Sequence, residues 1–121
     1  MKRDWDLVRQ VLLEVEALQA GKAKYKTYTL KGEGDDELAA HAVLLWKSGF
    51  IEGTHASGMS IEGVMAQDLT WNGHELLNTM KTDKVWLKVK DMASEKGLEL
   101  TLDSVKSLGK MAWDSIFSGM S

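Results

Sequence analysis

The stretch that most restricts the fold of this 121-residue chain runs from Leu38 to Leu77. LAAHAVLLWKSGFIEG (38–53) begins with helical apolar spacing, breaks at Gly49 and continues as a strand. LTWNGHELL (69–77) closes a second strand and starts a helix within a few residues. Strand candidates are 50–55 and 62–69, joined by the small loop Ala56-Ser57-Gly58-Met59-Ser60. Thr70 or Asn72 can cap the helix that follows, and Asn72 with Glu75 matches a capping box.

Helix, strand, loop, strand, helix is the core of a winged-helix unit. The fold class expected is therefore mainly α with a small β-hairpin (α+β): a winged-helix-like domain with additional C-terminal helices. Residues 1–81 form the core, and 82–121 are a helical extension packed on it, within a single domain overall.

In chain order, the first helix is expected over 4–19. Val8, Val11, Leu12, Val15 and Leu18 share one face, Asp4 is the N-cap and Gly21 the stop. AKYKTYTLK (23–31) is strand-like and carries Lys22, Lys24, Lys26 and Lys31 in or beside it. Those lysines read as protection of an exposed strand edge, with phosphate contact as the functional alternative. GEGDDE (32–37) is a turn ending in a cap at Asp35. The helix at 36–48 points Leu38, Ala42, Leu45 and Trp46 inward, leaves His41 at the border and turns Asp36, Glu37, Ala40, Leu44, Lys47 and Ser48 outward. Leu38, Leu45, Trp46, Phe50, Leu69 and Leu76 are expected in one core with Val8, Leu12 and Val15. Helices at 83–96 and 102–117 follow. The first has Val85, Val89, Met92 and Ala93 on one face and stops at Gly97; the second is capped by Thr101. Four tryptophans (Trp5, Trp46, Trp86, Trp113) lie on or beside core stripes and read as packing, whereas Trp71 at a turn is expected to be partly exposed.

Function is narrower by exclusion. There is no cysteine, hence no disulfide framework and no thiolate-bound zinc. The chain lacks an apolar secretory region after Met1-Lys2-Arg3-Asp4 and any apolar run of membrane-spanning length, so a cytoplasmic protein without a membrane partner is expected. His74-Glu75 opens H-E-L-L-N, but Asn78 stands where a zincin needs its second histidine. His41, His55 and His74 show no ligand spacing, and Gly32-x-Gly34 is too short for a phosphate loop. No catalytic residue, metal site or cofactor is assigned, and the chain reads as a non-enzyme.

MKRDWDLVR at the start, HAVLLWKSGFIEG and LTWNGHELL in the middle, and Trp86 soon after resemble an uncharacterised domain-of-unknown-function family of short proteins found in prophages and mobile elements. The resemblance runs to about residue 95 and implies a winged-helix-like fold and a phage or mobile-element setting. It supplies no catalytic residues.

Two functions compete, the first being the one expected and the second its alternative. One is a DNA-binding or transcription-regulating protein, with Lys22, Lys24, Lys26, Lys47, Lys84 and Lys88 as nucleic-acid contacts. The other is a phage-encoded acidic module that binds and modulates or inhibits a host protein complex. Net charge is −3, and residues 32–80 hold Lys47 as their one base against eight acids, which suits a basic protein groove better than phosphates. The stripe Leu102, Val105, Leu108, Ala112, Trp113, Ile116, Phe117 is wide enough to leave part for a second copy. A homodimer through Leu108, Trp113 and Phe117 is therefore expected; the alternative is a helix that buries its whole stripe within one chain.

Overall fold

The computed structural model describes residues 2–19, 21, 24–30, 37–56 and 62–117. Along them lie α1 (Trp5–Ala17), β1 (Lys26–Leu30), α2 (Glu37–Lys47), β2 (Ile51–His55), β3 (Glu62–Leu69), α3 (Trp71–Asn78), α4 (Asp83–Lys96) and α5 (Leu102–Phe117). The fold is mainly α with one small antiparallel sheet of order β1-β3-β2. The chain divides into two compact units, Met1–His74 and Glu75–Ser121. The expected cap at Asp35 and the loop residues 57–60 lie outside the described residues.

In the first unit, α1 starts where the Asp4 carboxylate accepts the backbone N–H of Asp6 (2.9 Å) and of Leu7 (3.4 Å). Such a cap stabilises a helix by about 1 kcal/mol. Trp5, Val8, Val11, Leu12 and Val15 form its buried stripe. The helix ends with Leu18 as C-cap, three residues before the glycine expected to stop it. No glycine is needed there, because Leu18 keeps a right-handed backbone while its N–H bonds the Val15 carbonyl (3.2 Å) and the Gln19 N–H the Glu16 carbonyl (3.2 Å).

α2 packs against α1 and all three strands. It is therefore covered over more of its circumference than a helix lying on a single surface. Ala39, His41, Ala42, Val43 and Leu45 are buried, whereas Leu38 and Trp46, expected inside, are only half-buried, as is Phe50. His41, expected at the border, is completely buried. Its Nε2 accepts the Asp4 N–H (2.8 Å), which leaves Nδ1 to donate to the Glu37 carbonyl (2.6 Å). One neutral tautomer meets both partners, so this histidine is satisfied in the core.

α2 stops at Gly49, whose φ of 84° is open to glycine. The Phe50 N–H reaches the Leu45 carbonyl (2.9 Å) and the Gly49 N–H the Trp46 carbonyl (3.1 Å), which together are a Schellman stop. The Thr70 hydroxyl then ties the two helix ends of the motif together. It donates to the Gly49 carbonyl (2.6 Å) and accepts the Gly73 N–H (3.1 Å). Thr70 is thus the cap of α3. Asn72 already lies in the first helical turn, so the Asn72–Glu75 capping box is displaced.

In the sheet, β1 and β3 run in continuous register from Lys26↔Ala66 to Leu30↔Glu62. The β2–β3 pair shifts register between Glu52 and Gly53, a bulge at the base of the hairpin.

In the second unit, Leu76, Leu77 and Met80 are buried, as are Val85, Trp86, Val89 and Ala93 of α4 and Val105, Leu108, Gly109 and Ala112 of α5. Met92 is only half-buried, because the α4 stripe is centred on Val85, Val89 and Ala93. α4 stops at left-handed Gly97 (φ 63°), as expected. α5 opens with a reciprocal cap: Thr101 N–H donates to the Ser104 hydroxyl (2.7 Å), and Ser104 N–H to the Thr101 hydroxyl (3.1 Å). The last helix does not bury its whole stripe. Trp113 is 49% exposed and Phe117 36%, their rings 4.3 Å apart at the surface, so packing does not account for Trp113.

Candidate functional site

Two surfaces carry the residues that the sequence singles out. The first is the outward face of α2 with the β2–β3 hairpin. Glu37, Leu44, Lys47 and Ser48 are exposed there and Ala40 is half-exposed. Two contacts fasten the helix to the hairpin: Lys47 Nζ meets the Glu62 carboxylate at 2.5 Å, and the Trp46 ring stacks on the His55 ring at 6.0 Å and 18°. The hydrogen bond from Lys47 holds the Glu62 carboxyl below the usual carboxylate range. The cation nominated for phosphate contact is therefore already matched by an acid, and Glu37 and Glu52 are exposed on the same two elements.

On the β1 edge one lysine, Lys26, is matched in the same way. Lys22 and Lys31 lie outside the described residues, and Lys24 is exposed. Lys26 donates to Glu14 (2.6 Å), which also accepts the Tyr28 hydroxyl (2.8 Å) and the Gln10 amide (3.0 Å). Burial pushes the Glu14 carboxyl up, but the bonds from Lys26, Gln10 and Tyr28 outweigh it and hold the carboxyl below its ordinary value. Burial, and then Glu14 itself, push the Tyr28 hydroxyl far up. Among the described residues β1 is an outer strand of the β1-β3-β2 sheet, so Lys26 sits on a sheet edge.

The other histidines have ordinary neighbours. His74 Nε2 is 4.0 Å from the Asp68 carboxylate, whose oxygen accepts the Leu69 N–H (2.7 Å). Among the described residues no three of His, Cys, Asp or Glu gather as a metal site, and no helix is long and apolar enough to cross a membrane. Trp71 is 79% exposed, as a turn position suggested.

The second surface is a groove of about 340 Å³ between α4 and α5. Lys84, Leu87, Lys88 and Asp91 line one side, Ser115 and Ile116 the other. Lys84 and Lys88 were named from the sequence as nucleic-acid contacts. Leu87 and Asp91 were not, although 84, 87, 88 and 91 fall on one helical stripe opposite the buried one. Leu108 is buried, so of the three residues expected at a dimer contact Trp113 and Phe117 are the ones that reach the surface.

Residues 2–99 match a family described as "Hypothetical protein (DUF2513)", and the chain belongs to that family. It is 34% identical over 110 residues, 91% of this chain and 93% of the relative, to an uncharacterized protein of Haemophilus influenzae (strain ATCC 51907 / DSM 11121 / KW20 / Rd). No solved structure matches it.

Proposed function

We propose that this DUF2513 protein is a non-enzymatic, winged-helix-like binding module of the phage or mobile-element type, cytoplasmic, whose α2–hairpin surface takes a basic protein partner and not duplex DNA. The winged-helix reading is supported by the order α1-β1-α2-β2-β3 and by a hairpin cross-linked to the helix before it. The partner reading is carried by one observation: Lys47, the base on this surface, is matched by Glu62 while Glu37, Glu52 and Leu44 stand exposed on the same elements. Duplex binding draws on several phosphate contacts, each releasing counterions, and an acidic face repels them. A modulator of a host protein complex is the role this surface suits. The same reading includes a homodimer formed through the second unit, where Trp113 and Phe117 are exposed.

DNA binding keeps a specific support in the exposed Lys84 and Lys88 of α4, with Lys24 also exposed. A salt titration on heparin and random duplex, run beside a host-lysate pull-down, separates the two. The expected outcome is a salt slope near zero and a captured protein that Leu44→Asp loses. A slope of several charges that Lys84→Glu with Lys88→Glu removes overturns the protein reading in favour of DNA.

A further inference from the structure

The outward stripe of α4 has an unusual order of chemistry. Lys84, Leu87, Lys88 and Asp91 follow at three, one and three residues, and all four are exposed, Leu87 by 57%. Lys84, Lys88 and Asp91 have no ion-pair partner among the described residues. Within one chain Lys84 and Asp91 stand two turns apart, about 10.5 Å along the axis, too far to pair with each other. A base at one end, an acid at the other and a leucine between make a stripe that is its own complement when turned end for end.

A second copy laid antiparallel across a two-fold axis near positions 87 and 88 gives both end charges a partner. Lys84 then faces Asp91 of the second copy, and Asp91 faces its Lys84. The two Leu87 side chains meet at the mouth of the groove beside Ile116, and each Lys88 covers the opposing leucine with its methylene stem while its ammonium stays in water. A parallel copy would set Lys84 on Lys84 and Asp91 on Asp91. A contact of this self-complementary kind is what two-fold closure requires. The exposed rings of Trp113 and Phe117 add apolar surface on α5.

We propose that the α4–α5 groove is the self-association surface of this protein and that two copies pair antiparallel in the register Lys84 to Asp91. The inference rests on the self-association reading given above and adds to it a surface, an orientation and a register.

Sedimentation equilibrium of the full chain at tens of micromolar tests it with charge reversals. Lys84→Glu and Asp91→Lys, taken singly, set like charges against each other at both ends of the contact, and each is expected to weaken the dimer about tenfold or more. An equimolar mixture of the two variants restores opposite charges at both ends, so a heterodimer of wild-type strength is expected. Both positions are exposed, so the circular-dichroism melting curve of each diluted variant should match wild type. Lys84→Gln and Asp91→Asn supply the milder series. A wild-type chain that is monomeric overturns the dimer and the register together. A wild-type dimer whose two variants gain nothing on mixing overturns the register alone. In that case Trp113→Ser and Phe117→Ser show whether the contact lies on α5.

Discussion

Lys47 and Lys84 are both exposed lysines on the outward side of a helix, and the sequence offers no way to rank them. In the first unit Lys47 meets Glu62 and Lys26 meets Glu14, so both cations find an acid from another element. In the second unit Lys84 has no ion-pair partner among the described residues, and Asp91 on the same stripe lies two helical turns from it. The contrast teaches that a charge cluster matters for binding through what is left over after the fold has matched its own charges. The overall balance points the same way: residues 1–74 hold eight bases and eleven acids, residues 75–121 seven of each. The first unit is thus acidic and the second balanced, and the two proposed partners, a basic protein and a second copy, rest on that difference.

Truncating leucines in each region gives the largest test of that contrast. Leu12 is completely buried in the first unit, and Leu12→Ala should cost about 2–5 kcal/mol, because the removed methyl groups leave a cavity. Leu87→Ala should cost less than about 0.5 kcal/mol when measured by urea denaturation at high dilution, since nothing within its own chain covers most of that side chain. Equal costs for the two would break the distinction between a closed and an open surface.

A smaller effect follows from the Glu14 cluster. Its folded-state pKa lies below the ordinary 4.5, so the ionised carboxylate contributes stability above pH 4.5 that is lost as pH falls through the lower folded value. Glu14→Gln should therefore flatten the fall of melting temperature below pH 4.5, and should cost on the order of 1 kcal/mol at pH 7 through weaker bonds from Lys26 and Tyr28. Tyr28 acts at the other end of the scale. Its raised folded value means that its contribution is complete below pH 10 and is lost as pH rises beyond that. An unchanged acid limb in Glu14→Gln would show that the cluster holds no net stability.

These residues also mark how far the sequence could be read. Caps and stops are local chemistry, so Asp4, Gly49, Gly97 and Thr101 were legible, and the bounds of α4 and α5 came out at 83–96 and 102–117. The facing of α2 was not legible. A helical wheel assumes one covered side, whereas α2 meets α1 and three strands, which buries His41 and brings Leu38 and Trp46 to the edge. The Glu14 cluster joins residues 12 and 14 positions apart, and no periodicity reports such a pairing. On α5 the stripe was seen whole, but periodicity tells which way a side chain points and not whether anything lies there to cover it. Trp113 and Phe117 are exposed for that reason, and on α4 the lysines of the candidate site were noticed without Leu87 and Asp91.

The smallest expected effect is the one that bears most directly on partner choice. Lys47 and Glu62 meet at the surface with both side chains about half exposed, 59% and 47%. A pair so well solvated trades one set of contacts for water at little loss, so Glu62→Gln should leave the melting temperature almost where it is. Its consequence for binding separates the two readings of the first unit. If α2 and the hairpin faced DNA, Lys47 would gain a phosphate once Glu62 no longer competed for it, and retention on heparin would rise with a steeper salt dependence. If the surface takes a basic protein groove, Glu62→Gln removes one of its acids and frees one of its bases, and both changes weaken the partner. The expected result is no gain on heparin and reduced capture of the host protein, with Leu44→Asp as the apolar control on the same face. Stronger duplex binding by Glu62→Gln would reverse the assignment, because it would show that the fold had been hiding a phosphate-contacting lysine behind its own carboxylate.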